Sequence, residues 1–168
     1  TMSSFKTVSQ TEYDKLGQLK KKNVGTDPST SGPLETENFD YNIRGWMLGM
    51  NRDFAKNTSS TDNWFGFDLG YDKTAIAPTN GSAIGNFSAG QYNGNITGTV
   101  WKSTGDDEIR KFDYSYDAAN RITTADFNQY TSSSFNKTAG MDFSVSNLTY
   151  DANGNILTMN QKAWKVSG

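Results

Sequence analysis

The sequence predicts an all-β protein, a curved, twisted antiparallel sheet built from successive β-hairpins. Three observations carry that prediction. A short turn motif that starts at a tyrosine recurs five times. Aromatic residues make up 13% of the chain while the whole hydrophobic share is only 34%, a balance that suits pleated, half-buried strands better than packed helices. No segment carries a capped helical stripe, and the best candidate, Ser9 to Lys22, is interrupted by the first copy of the motif.

The motif reads Tyr, then Asp or Asn, two loose positions, Gly or Asn, a variable residue and an aliphatic one. Its copies are Tyr13-Asp14-Lys15-Leu16-Gly17-Gln18-Leu19, Tyr41-Asn42-Ile43-Arg44-Gly45-Trp46-Met47, the contracted Tyr92-Asn93-Gly94-Asn95-Ile96, Tyr116-Asp117-Ala118-Ala119-Asn120-Arg121-Ile122 and Tyr150-Asp151-Ala152-Asn153-Gly154-Asn155-Ile156. Each reads as a hairpin. A strand arrives at Tyr, and the Asp or Asn side chain accepts backbone N–H bonds to open the turn. Two residues form a type I turn, and the next must take positive φ, which Gly does without a Cβ clash. Asn120 stands in that place in the fourth copy, as the best substitute for Gly. Asn93-Gly94 predicts a two-residue type I′ turn in the contracted copy. The return strand then points its aliphatic residue into a core.

In chain order, the run Lys20-Lys21-Lys22 follows the first turn and is expected to be solvated or to protect a sheet edge. The polar, glycine-rich stretches 25–33, 51–61 and 78–89 read as exposed loops of variable length. Asn63 to Tyr71 is an aromatic-rich strand. In Arg110 to Tyr116, aromatic and polar residues alternate, the period-2 signature of one buried face. Phe143 to Tyr150 alternates less cleanly. The copies are unevenly spaced, so no strict solenoid is expected, and residues 1–168 form a single sheet segment.

The charge balance excludes several functions. A net charge of −2 from 16 basic and 18 acidic residues offers no electrostatic footprint for nucleic acid or an anionic membrane. With no cysteine and no histidine, disulfides, thiolate metal sites and imidazole triads are out of reach. No apolar run approaches the ~18 residues of a membrane helix, and Thr1-Met2-Ser3-Ser4 does not open a signal peptide.

The repeated Tyr-Asp-x-x-Gly pattern resembles the YD repeat of the RHS family, which includes bacterial polymorphic toxins, toxin-complex shell subunits and animal teneurins. The match looks closest to RHS-repeat proteins of Bacteroidetes, through Leu34 to Trp46, Phe65 to Leu69, Gln91 to Ile96 with Trp101, and Tyr116 to Ile122. The resemblance implies a spiral sheet forming part of a hollow shell that encloses a C-terminal effector. It also implies a secreted or cell-surface location, and partners in the rest of that shell and its contents. The family's Asp-Pro-Gly-rich region that follows the repeats has no counterpart here, since Pro28, Pro33 and Pro78 all lie upstream. A segment with two raw sheet edges is expected either to curl and bury its open face or to pair with copies of itself through those edges.

The chain is expected not to be an enzyme and to need no cofactor. Asp106-Asp107-Glu108 reads as a solvated turn, because adjacent residues there cannot converge on a metal. Asp151 to Asn155 is similar to a calcium loop but lacks its later ligands, and belongs with the turn copies. The rival function is carbohydrate binding or adhesion on exposed aromatics, drawn from Trp46, Trp64, Trp101, Trp164, Tyr13 and Tyr92. It requires a flat row of exposed rings, whereas a structural role puts the same rings in the core of an aliphatic-poor sheet.

Overall fold

The computed structural model describes residues 7–163. The chain runs through β1 (Ser9–Tyr13), β2 (Leu19–Val24), β3 (Glu35–Tyr41), β4 (Met47–Met50), a one-turn helix α1 (Arg52–Ala55) and β5 (Phe65–Gly70). The short β6 (Ala75–Ile76) and β7 (Gly85–Asn86) follow, then β8 (Gly98–Ser103), β9 (Arg110–Tyr116), β10 (Ile122–Thr131), β11 (Ser134–Asn136), β12 (Val145–Tyr150) and β13 (Ile156–Gln161). Eleven strands form one open sheet in the order β1-β2-β3-β4-β5-β8-β9-β10-β12-β13, with β11 also paired to β10. Every neighbouring pair is antiparallel, so the chain is an all-β succession of hairpins. Strands β6 and β7 pair only with each other.

Directly opposed residues share a sheet face, and the register therefore sorts the side chains. Phe67 opposes Trp101, and Phe112 opposes Phe127, which places an aromatic band on one face. On the other face Asp68 opposes Val100, Val100 opposes Lys111 and Gly98 opposes Asp113. That second face is covered by α1 and by the β6–β7 excursion. Ile76, Phe87, Val100 and Ile109 form its core, with Ile84, Tyr130 and Phe135 against them. Phe87 lies flat on Gly70 and Gly98, which oppose one another, and a Cβ on either glycine would collide with its ring.

The period-2 pattern of β9 thus has a different meaning from the one its sequence predicts. Lys111 and Asp113, not Phe112 and Tyr114, are its buried residues, because the cap lies on their side. Two of the three stretches read as exposed loops are parts of that cap. Residues 51–61 contain α1, whose Phe54 and Ala55 are buried, and residues 78–89 contain β7 and the buried Phe87. A few apolar residues set among Asn, Ser and Gly suffice to cover a glycine-lined strip of sheet. Residues 25–33 do form a loop, closed by Asp27, whose carboxylate accepts the N–H of Ser29 at 2.8 Å.

The lysine run lies in β2, between β1 and β3, and so protects no edge; Lys22 pairs with Glu37 at 3.1 Å. The aliphatic residues that close the motifs are not core residues either. Leu19, Met47, Ile96 and Ile122 are half-buried and Ile156 is exposed, because the cap reaches only the middle strands.

Candidate functional site

The five motif turns lie along one end of the sheet, since each leads into a return strand (β2, β4, β8, β10 or β13) and these five run in the same direction. Four share one geometry. Asp14 Oδ1 accepts the N–H groups of Leu16 and Gln18 at 2.8 and 2.9 Å. Asn42 does the same for Arg44 and Trp46, Asp117 for Ala119 and Arg121, and Asp151 for Asn153 and Asn155. Gly17, Gly45, Asn120 and Gly154 hold the left-handed position at φ +79°, +79°, +62° and +86°. Each donates its N–H to the carbonyl of the Asp or Asn that opened the turn, as a type I turn with a following left-handed residue requires.

The third copy differs from its sequence reading. Tyr92 is 79% exposed and lies in no strand. Asn93 is not at positive φ, so Asn93-Gly94 is not a type I′ turn, although Gly94 itself sits at φ +96°. The tyrosine that serves this copy is Tyr71, followed by Asp72 at the end of β5. Gly70 opposes Gly98, and Thr97 N–H donates to the Gly70 carbonyl at 2.8 Å. The cap is therefore an insertion within a motif copy, between Tyr71-Asp72 and Asn93-Gly94-Asn95-Ile96. The dipeptide Tyr71-Asp72 was the available signal, hidden because its turn residues lie so far downstream. A turn with two positive φ values does occur, at Ser132-Ser133 between β10 and β11, where the sequence offers no glycine or asparagine.

The motif side chains bond each hairpin to its neighbours in a fixed direction. Tyrosines reach backward. Tyr71 donates its hydroxyl to the Met47 carbonyl at 2.9 Å, Tyr116 to that of Ile96 and Tyr150 to that of Ile122, both at 2.6 Å. Every acceptor is the closing aliphatic residue of the preceding copy. The residue before that aliphatic reaches forward. Gln18 Nε2 donates to the Gly45 carbonyl at 3.3 Å, and Asn95 Nδ2 to Asn120 Oδ1 at 3.1 Å. Arg121 donates to the Asp151 carbonyl at 3.1 Å and lies 4.7 Å over the Tyr150 ring. The Trp46 ring abuts Gly94, where a Cβ would sit 3.1 Å from it.

The electrostatics follow these bonds. The N–H and guanidinium of Arg121 hold the Asp117 carboxyl below the ordinary carboxylate range, and the Asn155 amide and N–H do so for Asp151. Burial pushes the hydroxyls of Tyr71 and Tyr116 upward.

A second group of polar residues, buried lysines, ties the cap to the sheet. Lys102, 1% exposed, donates to the carbonyls of Asn57 at 3.1 Å and Ser60 at 2.7 Å, and lies 4.8 Å over the Phe54 ring. Lys111 donates to the Asn86 carbonyl at 2.8 Å and pairs with Asp113 at 2.6 Å, and Asp113 accepts Ser88 N–H. Asp68 is held between Arg52 and Lys56. These cations are tolerated in a buried site because each is paired or hydrogen-bonded. Lys102 and Lys111 lie on strand positions where sequence alternation alone assigns lysine to solvent.

The proposed aromatic platform is dispersed. Trp46 packs on Tyr71 at 5.4 Å and Trp101 stacks on Phe112 at 5.5 Å, both half-buried. Trp64, Tyr13 and Tyr92 are exposed on separate elements, and Trp164 lies outside the described residues. The Asp106-Asp107-Glu108 carboxylates diverge, toward Arg110, Lys102 and Gln129 respectively. A half-open groove of about 610 Å³ lies on the capped face beside the second turn, lined by Tyr41, Arg44, Lys56, Asp68, Tyr71 and Asp72 among others. Among the described residues no group of three or more carboxylates could hold a metal ion.

A scan against protein-family models finds none that matches this chain, and a search of the curated proteins finds no match either.

Proposed function

We propose that the chain is a non-catalytic structural segment of a β-walled shell, belonging to a larger secreted or surface protein of the RHS/YD-repeat type. The observation that carries this reading is the use made of the motif residues. The turn-opening side chains of Asp14, Asn42, Asp117 and Asp151 are spent on turn geometry, and the hydroxyls of Tyr71, Tyr116 and Tyr150 on the adjoining hairpin, which is what a wall needs. The Tyr-Asp pattern, the open sheet and the mutual attachment of successive hairpins all support it. An enclosed C-terminal effector and the rest of the shell are the partners the reading implies. The dispersal of the tryptophans speaks against carbohydrate binding as the main role.

The reading is tested in the native source with an antibody raised against this chain. The expected band is far larger than 18.5 kDa and lies in the culture medium or the surface fraction. A band at the size of this chain, confined to the cell interior, would overturn it.

A further inference from the structure

We propose that the outer edge of β13 captures β1 of a second copy in one polarity only, so that copies join head to tail; this rests on the wall reading above and names its partner. At each internal junction a return strand receives the incoming strand of the next motif copy and the residue before the closing aliphatic reaches the next turn. At three of the four, the incoming tyrosine (Tyr71, Tyr116 or Tyr150) also bonds to the preceding aliphatic carbonyl. The β13 end presents the receiving half of this arrangement. Ile156, Leu157 and Met159 are exposed, and among the described residues no strand lies on the outer side of β13. No tyrosine among them reaches the Ile156 carbonyl, and Asn155 folds back onto Asp151 Oδ2 at 2.8 Å instead of reaching forward.

The β1 end presents the incoming half. It runs in the direction of every incoming strand, is exposed along its length, and ends at Tyr13, 60% exposed. Antiparallel addition of β1 to β13 continues the row of turns and brings Tyr13 toward Ile156 and Asn155 toward the Asp14 turn. Pairing β13 with β13, or β1 with β1, puts the two rows at opposite ends and forms none of these bonds. A head-to-tail contact of this kind does not close on itself and adds copies indefinitely.

Two edge-blocked variants test this. Val8 accepts the N–H of Gly25, so the N–H of Thr11 points away from β2; Lys162 donates to Ser144, so the N–H of Met159 points away from β12. Thr11→Pro and Met159→Pro each remove one outward donor and leave the inner ladders intact. Light scattering on the unmodified chain is expected to show a mass that rises steadily with concentration. Each variant alone is expected to remain at 18.5 kDa, and an equimolar mixture to stop at a 1:1 dimer. A dimer of either variant alone, a mixture that stays monomeric, or an unmodified chain that stays monomeric at millimolar concentration would overturn the proposal. Near-UV circular dichroism checks that the variants fold, with Ser9→Pro and the double change Leu157→Lys, Met159→Lys as replacements. A monomeric chain would leave the wall reading standing, since that rests on the size of the native species.

Discussion

The hairpin β12–β13 and the middle of the sheet, β5 to β10, use the same turn and end in opposite surroundings. The Asp151 and Asp117 turns have the same bonds to within 0.1 Å. Yet every residue of β13 is exposed, while Val100, Lys102, Lys111 and Phe127 are buried. Turn chemistry therefore makes a hairpin wherever the motif falls, and it does not decide what the hairpin buries. On the capped face burial is decided by the insertion between Tyr71 and Ile96 together with α1, while on the opposite face Phe127 is buried by Trp101, Phe112 and Phe143. The terminal hairpin depends on its neighbour and on polar bonds, such as Lys162 to Asp142 at 2.9 Å.

The largest effect expected from this contrast is in the middle. Phe127 is wholly buried between Trp101, Phe112 and Phe143. Phe127→Ala should cost about 3–5 kcal/mol in urea unfolding, while Leu157→Ala on β13 should cost less than about 0.5 kcal/mol. Comparable losses at the two sites would dissolve the distinction. Next in size, Lys102→Met strands the carbonyls of Asn57 and Ser60. It should cost about 1–3 kcal/mol, with new protease cleavage between α1 and β5 as its local sign.

Turn substitutions should be smaller and alike across regions. Gly154 has open space around its Cβ position, so Gly154→Ala isolates the backbone strain at φ +86°, about 1–2 kcal/mol. The acid limb of stability should also be shared. Asp117 and Asp151 have lowered folded-state values, so their ionised forms stabilise the fold above pH 3.8, the ordinary carboxylate value, and that contribution fades as pH falls below it. Replacing either by Asn should flatten the loss of thermal stability between pH 4 and pH 2; an unchanged slope would mean these carboxylates do not couple to folding.

The sequence made the hairpins legible because their cause is local. Asp or Asn at the turn opening and Gly or Asn at positive φ are demands of backbone geometry alone, and Asn120 fills its place as expected. What the sequence hid was tertiary. The burial of Lys111 and Asp113 depends on which face the cap settles on, and alternation is symmetric between the two faces. Tyr71 escaped notice because its turn is interrupted, and Tyr92 stood in the place where an unbroken copy would have its tyrosine. The forward and backward bonds between copies required knowing that all the turns lie in one row.

That row is the core of the account, and a single tyrosine hydroxyl probes it. Hydrogen exchange should be measured on Tyr150→Phe and Tyr92→Phe beside the unmodified chain. Loss of the Tyr150 hydroxyl bond to Ile122, worth about 1 kcal/mol, should speed exchange roughly fivefold in β12 and β13 and leave β8 and β9 unchanged. Tyr92→Phe should change nothing. Unchanged protection in Tyr150→Phe, or a loss in Tyr92→Phe of the same size, would contradict the claim that these tyrosines fasten each hairpin to the one before it.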